Sequence, residues 1–434
     1  MILDPIFETM PKAQLTKLQV ARLQNLARLL DQRSPFYRQK FLKIGFEPRD
    51  LLRLADLRLL PFTEKEDLRD HYPLGLSTVP PNQFLRFQAS SGVTGQMTVI
   101  GYTKRDLYIW AQLMARSLAT AGVGPDDVVN VAFGYGLFTG GLGCHYGAEA
   151  LGAAVLPCSS GASQRQITLM RDLKATVLCC TPSFALYLAE LAKSMGLDFR
   201  DKSVFALKTG IFGAEPWSED LRQKIESTMG ITALDIYGLS EIMGPGVAME
   251  CMERRGLHIY EDHFFAEIID PVTLKTVRPG QLGELVLTTL TKEGVPLLRY
   301  RTHDITSFQT EPCSCGRTFR QVTRFMGRSD DMVIIRGVNL YPSQVETLIL
   351  SIEGLTANYQ LVLDRVDNLD ALDIVVELSP ERVSSESEEL AKALARLTKI
   401  HLGVNAKVTL VEPMTLPRSQ GKAQRLVDNR AGKM

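Results

Sequence analysis

The chain has 434 residues, 45% of them hydrophobic, with 49 lysines plus arginines against 49 aspartates plus glutamates. That length exceeds one ordinary hydrophobic core, so two or three domains are expected. A net charge of zero gives no field to hold a nucleic-acid backbone or a membrane surface, so neither is expected as a partner and small-molecule chemistry is favoured.

The opening MILDPIFETMPKAQLTKLQV carries acids and a proline where a signal peptide needs a basic segment followed by an apolar one. No later run reaches the roughly 18 apolar residues of a membrane span, so a cytoplasmic protein is expected. Over 11–33, Leu15, Leu18, Leu23, Leu26, Leu29 and Leu30 recur at helical spacing and predict an amphipathic helix. From about 100 to 330 the runs DVVNVAF, AAVLPC, TVLCC, SVFALKTGIFG and ALDIYG read as buried strands, with QRQITLMRDLK and FALYLAELAKSMG as helices between them. This alternation predicts an α/β domain with a parallel sheet and helices on both faces.

Near GELVLTTLTKEGVPLLRYRTHD short strands and turns replace the helices, giving the large domain a β-rich part. GRSDDMVIIRG follows as a polar turn leading into a new strand, and the boundary is set there. The expected organisation is a large N-terminal domain over 1–328 and a small, mobile α+β domain over 329–434. In the latter, SQVETLILSI and SEELAKALARLTKIHLG read as helices, YQLVLDR and LDIVVELS as strands.

At 90–96 the sequence SSGVTGQ holds two glycines and three hydroxyls between two strand-like runs. Taken alone it reads as a tight turn or as a phosphate cradle; the G-x-x-x-x-G-K-[ST] pattern is missing, because Gln96 follows the second glycine. Cysteine and histidine spacing supplies another candidate. Cys313 and Cys315 flank one residue in CSCGRT, and Cys251 and His258 lie in ECMERRGLHIY. A Cys₃His set suits closed tetrahedral zinc of the structural kind; the alternative is three unrelated thiols and a surface imidazole. Cys144, Cys158, Cys179 and Cys180 stand in apolar runs and are expected in the core.

SSGVTGQ, IFGAEP, YGLSE, YRTHD, GRSDDMVIIRG and LPRSQGKAQR occur in that order over about 340 residues. Together they resemble the adenylate-forming superfamily of acyl-CoA synthetases. The stretches FGYGLFTGGLGCHYGAEALGA and ECMERRGLHIYEDHFFAEIIDP resemble its phenylacetate-coenzyme A ligase branch. The resemblance implies an AMP-forming acid–thiol ligase: a carboxylate attacks the α-phosphate of ATP, giving acyl-AMP and pyrophosphate, and coenzyme A then displaces AMP. An aryl acid, phenylacetate first, is the expected substrate. ATP, Mg²⁺ and coenzyme A are the expected small molecules, with structural Zn²⁺ beside them. Two other readings stand next to this one, an adenylyltransferase acting on a deazaflavin cofactor and a non-catalytic nucleotide-binding relative. A homodimer is compatible with such a chain.

The resemblance also assigns roles. Ser90, Ser91, Gly92, Thr94 and Gly95 would wrap the β- and γ-phosphates, with Gln96 where relatives usually carry lysine. Gly213, Ala214 and Glu215 would line the adenine and acyl sites, and Asp235 and Tyr237 would border the adenine. Glu241 would hold Mg²⁺. Asp304 would accept from the ribose hydroxyls and Arg328 would reach the ribose or the α-phosphate, with His303, where close relatives have arginine, as a neighbour. Tyr135, Phe138, Gly213, Ala214, Gly244 and Pro245 would form an apolar slot for an aromatic ring, unless the two aromatics are ordinary core. Lys422 is the expected catalytic lysine, Asp330 the hinge that lets it enter and leave, and Arg336, Gly337 and Val338 the wall of a tunnel for coenzyme A.

Overall fold

The apolar runs of the middle third form the centre of the fold in the computed structural model, which describes residues 1–89, 97–329, 333–335, 338–366, 369–380, 387–418 and 425–430. The chain divides into two compact units. One comprises Met1–Cys180, Phe205–Ala214 and Leu234–Arg324; the other comprises Thr181–Val204, Glu215–Ala233 and Phe325–Met434.

In the first unit, α1 (Pro5–Glu8) precedes α2 (Lys12–Arg33), where the leucine spacing buries Leu15, Leu23, Leu26 and Leu30 on one face. The helices α3 (Pro35–Ile44) and α4 (Lys65–Asp70) follow. The strands β1 (Phe84–Ala89) and β2 (Val99–Thr103) pair antiparallel on either side of residues 90–96. Helix α5 (Lys104–Thr120) starts at a capping box: the Thr103 hydroxyl accepts from the Asp106 amide, and the Asp106 carboxylate from the Thr103 amide.

Next come β3 (Val128–Val131), α6 (Thr139–Leu151), β4 (Ala154–Leu156), α7 (Ser163–Asp172), β5 (Val177–Cys180), β6 (Thr209–Gly213), β7 (Thr232–Leu239), β8 (Gly244–Glu250) and β9 (Leu257–Ile259). The strands β10 (Phe264–Ile269), β11 (Gly283–Thr289) and β12 (Tyr300–Thr306) form an antiparallel meander, and β13 (Gln321–Val322) follows. The central sheet has eight strands in the order β13-β9-β8-β7-β6-β5-β3-β4.

Half of that sheet matches the parallel expectation: β3 runs parallel to β4 and β5, and β5 to β6. The other half departs from it, because β7/β8, β8/β9 and β9/β13 are antiparallel. The reason is loop length. Only the turn Ser240–Met243 separates β7 from β8, and a parallel crossover needs roughly a dozen residues. Cys144, Cys179 and Cys180 are buried as expected, whereas Cys158 is only half-buried.

The second unit holds α8 (Pro182–Ser194), α9 (Glu219–Met229), β14 (Gly327–Arg328), β15 (Val333–Ile335), β16 (Val338–Leu340), α10 (Pro342–Leu350), β17 (Leu355–Val366), β18 (Leu369–Leu378), α11 (Ser387–Leu402), β19 (Ala406–Val411) and β20 (Leu426–Asp428). Its main sheet has the order β19-β18-β17-β20. Alternation along β18 buries Leu372, Ile374, Val376 and Leu378, which join Ile349 of α10, Leu361 of β17 and Leu394 of α11 in one core.

Candidate active site and metal centre

Tyr237 and Asp304 meet in the first unit. Strands β7 and β12 carry them, and the tyrosine hydroxyl donates to Asp304 Oδ2 at 2.6 Å, the short distance of a charge-assisted bond. Asp235, two residues before Tyr237 and therefore on the same face of β7, is buried, and its amide donates to Glu250 Oε2 at 3.0 Å. Neighbouring His303 has a left-handed backbone, with φ of 62°. Its imidazole lies 3.9 Å from both Glu64 and Glu284, and Arg301 binds Glu284 through two bonds of 2.6 and 3.0 Å.

The turn after β7 carries Glu241, whose side chain is buried. One carboxylate oxygen accepts from Thr98 Oγ1 at 3.2 Å and stands 3.8 Å from Lys65 Nζ. A single buried carboxylate suits Mg²⁺, which takes one or two carboxylates and fills its octahedron with phosphate oxygens and water. Two side chains hold the backbone of this turn through three hydrogen bonds. Tyr102 donates its hydroxyl to the Ser240 carbonyl at 3.1 Å, and Lys292 Nζ donates to the carbonyls of Glu241 and Ile242 at 3.1 and 2.8 Å. Burial lowers the Lys292 ammonium to about 8, against the opposing pull of Asp106 and Glu241.

Gly238 stands opposite Pro245, and Leu239 opposite Gly244. A side chain at 238 would meet the Gly244 carbonyl at 1.9 Å, so glycine is what lets the strands close here. Trp110 donates its indole N–H to the Pro245 carbonyl at 2.9 Å and stacks on Tyr102 at 5.2 Å. At the end of β6, a Cβ on Gly213 would lie 2.4 Å from the Ile236 carbonyl, and Ala214 adopts a left-handed φ of 68°. Left-handed backbone is costly for alanine and clusters at functional sites. Phe138 is 42% exposed, so it is not core, and Tyr135 bonds His145 Nδ1 at 3.2 Å.

In the second unit, Glu215 accepts from the Ser183 hydroxyl at 2.9 Å, Arg328 lies on β14 and Val338 on β16. Ser90, Ser91, Gly92, Thr94, Gly95, Asp330, Arg336, Gly337 and Lys422 fall outside the described residues. Sequence reasoning missed Thr98, Lys65, Tyr102, Trp110 and Lys292. Nothing in the pattern marks them, since each reaches the site only through pairing of distant segments.

The cysteine and histidine set converges. Cys251 follows β8, His258 lies on β9, Cys313 and Cys315 precede β13, and their ligand atoms all lie within 4.8 Å of one another. The Cys251 and Cys313 sulfurs are 3.6 Å apart, far too long for a disulfide, and Cys315 Sγ is 3.3 Å from His258 Nε2. Tetrahedral zinc with Zn–S near 2.3 Å and Zn–N near 2.0 Å has edges of about 3.5 to 3.8 Å, so the set fits. His258 Nδ1 faces the Phe319 carbonyl at 3.2 Å, which assigns the proton there and leaves Nε2 bare toward the thiols. A hydrogen bond from Cys251, aided by His258, pulls the Cys315 thiol strongly down, while that bond and burial push Cys251 up. Three thiols this close cannot all ionise without a cation between them.

The family profile described as AMP-binding enzyme matches residues 61–290, and that of the AMP-binding enzyme C-terminal domain matches 337–430. Phenylacetate-coenzyme A ligase of Thermus thermophilus is 46% identical over 99% of this chain and 100% of its own length. The Escherichia coli K12 protein of the same name is 47% identical over 99% of this chain and 98% of its own. Among solved structures, 2-hydroxyisobutyryl-CoA ligase in the postadenylation state with 2-HIB-AMP has a TM-score of 0.93 and 31% identity, covering 99% of this chain and 92% of that one. The same ligase in the thioesterification state with 2-HIB-AMP and CoA has a TM-score of 0.73, covering 98% and 92%. With profile matches across both ends of the fold and full-length relatives near half identity, the chain belongs to the AMP-binding enzyme family.

Proposed function

We propose that this protein is an ATP-dependent, AMP-forming ligase that converts an aryl carboxylic acid, phenylacetate in the first place, to its coenzyme A thioester. The observation that carries the reading is full-length similarity at 46–47% identity to ligases of that name. It is supported by the Tyr237–Asp304 pair and the buried Glu241 in one unit.

In the first step a carboxylate oxygen bonds to the α-phosphorus and pyrophosphate leaves. In the second, the coenzyme A sulfur bonds to the acyl carbon, the bond to AMP breaks, and the thiol proton passes to solvent. The protein's contribution is positioning and charge stabilisation. Asp304, oriented by the Tyr237 hydroxyl, accepts from the ribose; Asp235 and Tyr237 border the adenine; Glu241 holds Mg²⁺, which neutralises phosphate charge when bound. Ser90 to Gly95 cradle the phosphates, and Arg328 and Lys422 add cations near the α-phosphate. Gly213, Ala214, Gly244 and Pro245, with Tyr135 and Phe138, receive the ring.

Lys422 and the thiol of coenzyme A need the same space in turn, so the region from 329 onward is read as a lid that swings at Asp330. The two states named for 2-hydroxyisobutyryl-CoA ligase support this reading. Cys251, His258, Cys313 and Cys315 are read as a structural zinc site, closed to substrate. A cytoplasmic location is part of the same reading, and among the described residues no helix is long and apolar enough to cross a membrane. The test is a panel of aryl and fatty acids assayed for AMP release with and without coenzyme A. Aryl acids should release AMP at a turnover rate only when coenzyme A is present. Selection of fatty acids would overturn the substrate reading, and no release with any acid would overturn the activity.

A further inference from the structure

Lys292 is 2% exposed, and no carboxylate lies within 4 Å of its ammonium among the described residues. A buried cation without a close anion is costly, so something must compensate it. The compensation is specific. The ammonium lies 4.8 Å from the centre of the Tyr102 ring and donates to two consecutive carbonyls, those of Glu241 and Ile242. The Tyr102 hydroxyl takes the carbonyl before them, at Ser240. Three successive peptide carbonyls of one short turn are thus held by side chains from two other segments. Within the turn, the amides of Ile242 and Met243 both donate to the Leu239 carbonyl, so these outside donors fix the peptide planes on both sides of the Glu241 α-carbon.

The base of the lysine is itself held. Asp106, at the start of α5, accepts from the amides of Glu293 and Gly294 at 2.8 and 2.9 Å. The Thr103 hydroxyl bonds Glu293 at 2.8 Å, and Thr291 bonds His263 Nδ1 at 2.7 Å. The residues on each side of Lys292 are therefore tied to α5 and to the stretch before β10, and the ammonium is a fixed point from which the turn hangs. A metal-binding carboxylate must be placed to within about 0.5 Å, and rotating either flanking peptide plane would swing it further than that.

We propose that Lys292, assisted by Tyr102, is the positioning residue that aims Glu241 at the metal of the ATP complex. This rests on the reading of Glu241 as the Mg²⁺ ligand. Lys292 touches neither substrate nor metal; it acts through the backbone of the turn.

Mn²⁺ serves as the probe, titrated by electron paramagnetic resonance into the full-length protein saturated with ATP, with no acid present. Glu241→Gln sets the scale. Lys292→Met should weaken Mn²⁺ binding by about tenfold, and Tyr102→Phe, which leaves the lysine in place, by about threefold. Metal-free ATP affinity should stay within about twofold in both, a split that mere loss of stability would not produce. If Glu241→Gln weakens Mn²⁺ and neither other variant does, the positioning role is wrong while the ligand assignment stands. If Glu241→Gln changes nothing, the ligand assignment fails and this inference fails with it. Should Lys292→Met not fold, Tyr102→Phe alone decides: an unchanged Mn²⁺ affinity overturns the proposal.

Discussion

Replacing Cys313 by serine tests the metal centre, and the geometry sets the size of the effect. The thiol stands 3.6 Å from Cys251 in a set whose ligand atoms span no more than 4.8 Å, so the hydroxyl that replaces it is a poor ligand at one vertex of a closed tetrahedron. A hundredfold loss of affinity at saturating metal would remove about 2.7 kcal/mol of folding free energy. Beyond the metal, the loop between Cys315 and β13 carries Arg317, whose guanidinium bonds the fully buried Glu8 at 2.6 Å, and Thr318, whose amide bonds the Glu8 carbonyl at 2.9 Å. Slack in the metal loop would loosen that anchor of the N-terminal segment as well. At roughly 2 °C per kcal/mol for a unit of this size, melting of the variant should fall by about 5 °C, and chelation of the wild type, which removes the whole metal contribution, should lower it further. The assay is differential scanning calorimetry paired with elemental analysis. Zinc far below one equivalent in carefully purified protein, or an unchanged melting temperature in a metal-free variant, would refute the site.

Asp304→Ala should raise the KM for ATP by an amount corresponding to about 1.5 to 3 kcal/mol, the cost of a lost charged hydrogen bond; Tyr237→Phe should act in the same direction but less, and unchanged nucleotide affinity in both would sink the ribose assignment. Lys422→Ala should abolish acyl-AMP formation and spare thioester formation from supplied acyl-AMP, while Asp330→Pro should do the reverse; equal loss of both half-reactions in folded variants contradicts the alternating lid. His263 is held by burial at about 4 against an ordinary 6.5, so the unfolded chain binds a proton that the folded one refuses. Stability is full above about pH 6.5 and falls toward pH 4 by about 3 kcal/mol, at about 1.4 kcal/mol per pH unit. Urea midpoints from pH 7 to 4.5 should show this slope, and His263→Gln should flatten it; an equal slope in the variant rejects the assignment.

What could be read from the sequence follows physical range. The α2 leucines and the apolar runs of β3, β5 and β18 are local patterns, and each appears as a helix or strand where the sequence set it, whereas SVFALKTGIFG is a strand only over Thr209–Gly213. The antiparallel half of the central sheet was not legible, because the alternating reading assumed that every strand is followed by a crossover, and the short turn after Leu239 breaks that assumption. Cys251, His258, Cys313 and Cys315 could be picked out because their chemistry is rare enough to signal across 64 residues. Lys292 and Tyr102 could not, since a lysine between two strands and a tyrosine in an apolar run are common, and only the pairing of β7 with β8 brings the Glu241 turn to them.

The central claim is that the acid passes through acyl-AMP, and oxygen labelling tests it most directly. Phenylacetate carrying ¹⁸O in both carboxylate positions is turned over with ATP and coenzyme A, and the products are examined by mass spectrometry. Attack of the carboxylate on the α-phosphorus, followed by cleavage of the acyl–oxygen bond by the thiol, predicts one labelled oxygen in each AMP and none in pyrophosphate. Label in orthophosphate, or unlabelled AMP beside the thioester, would contradict the mechanism.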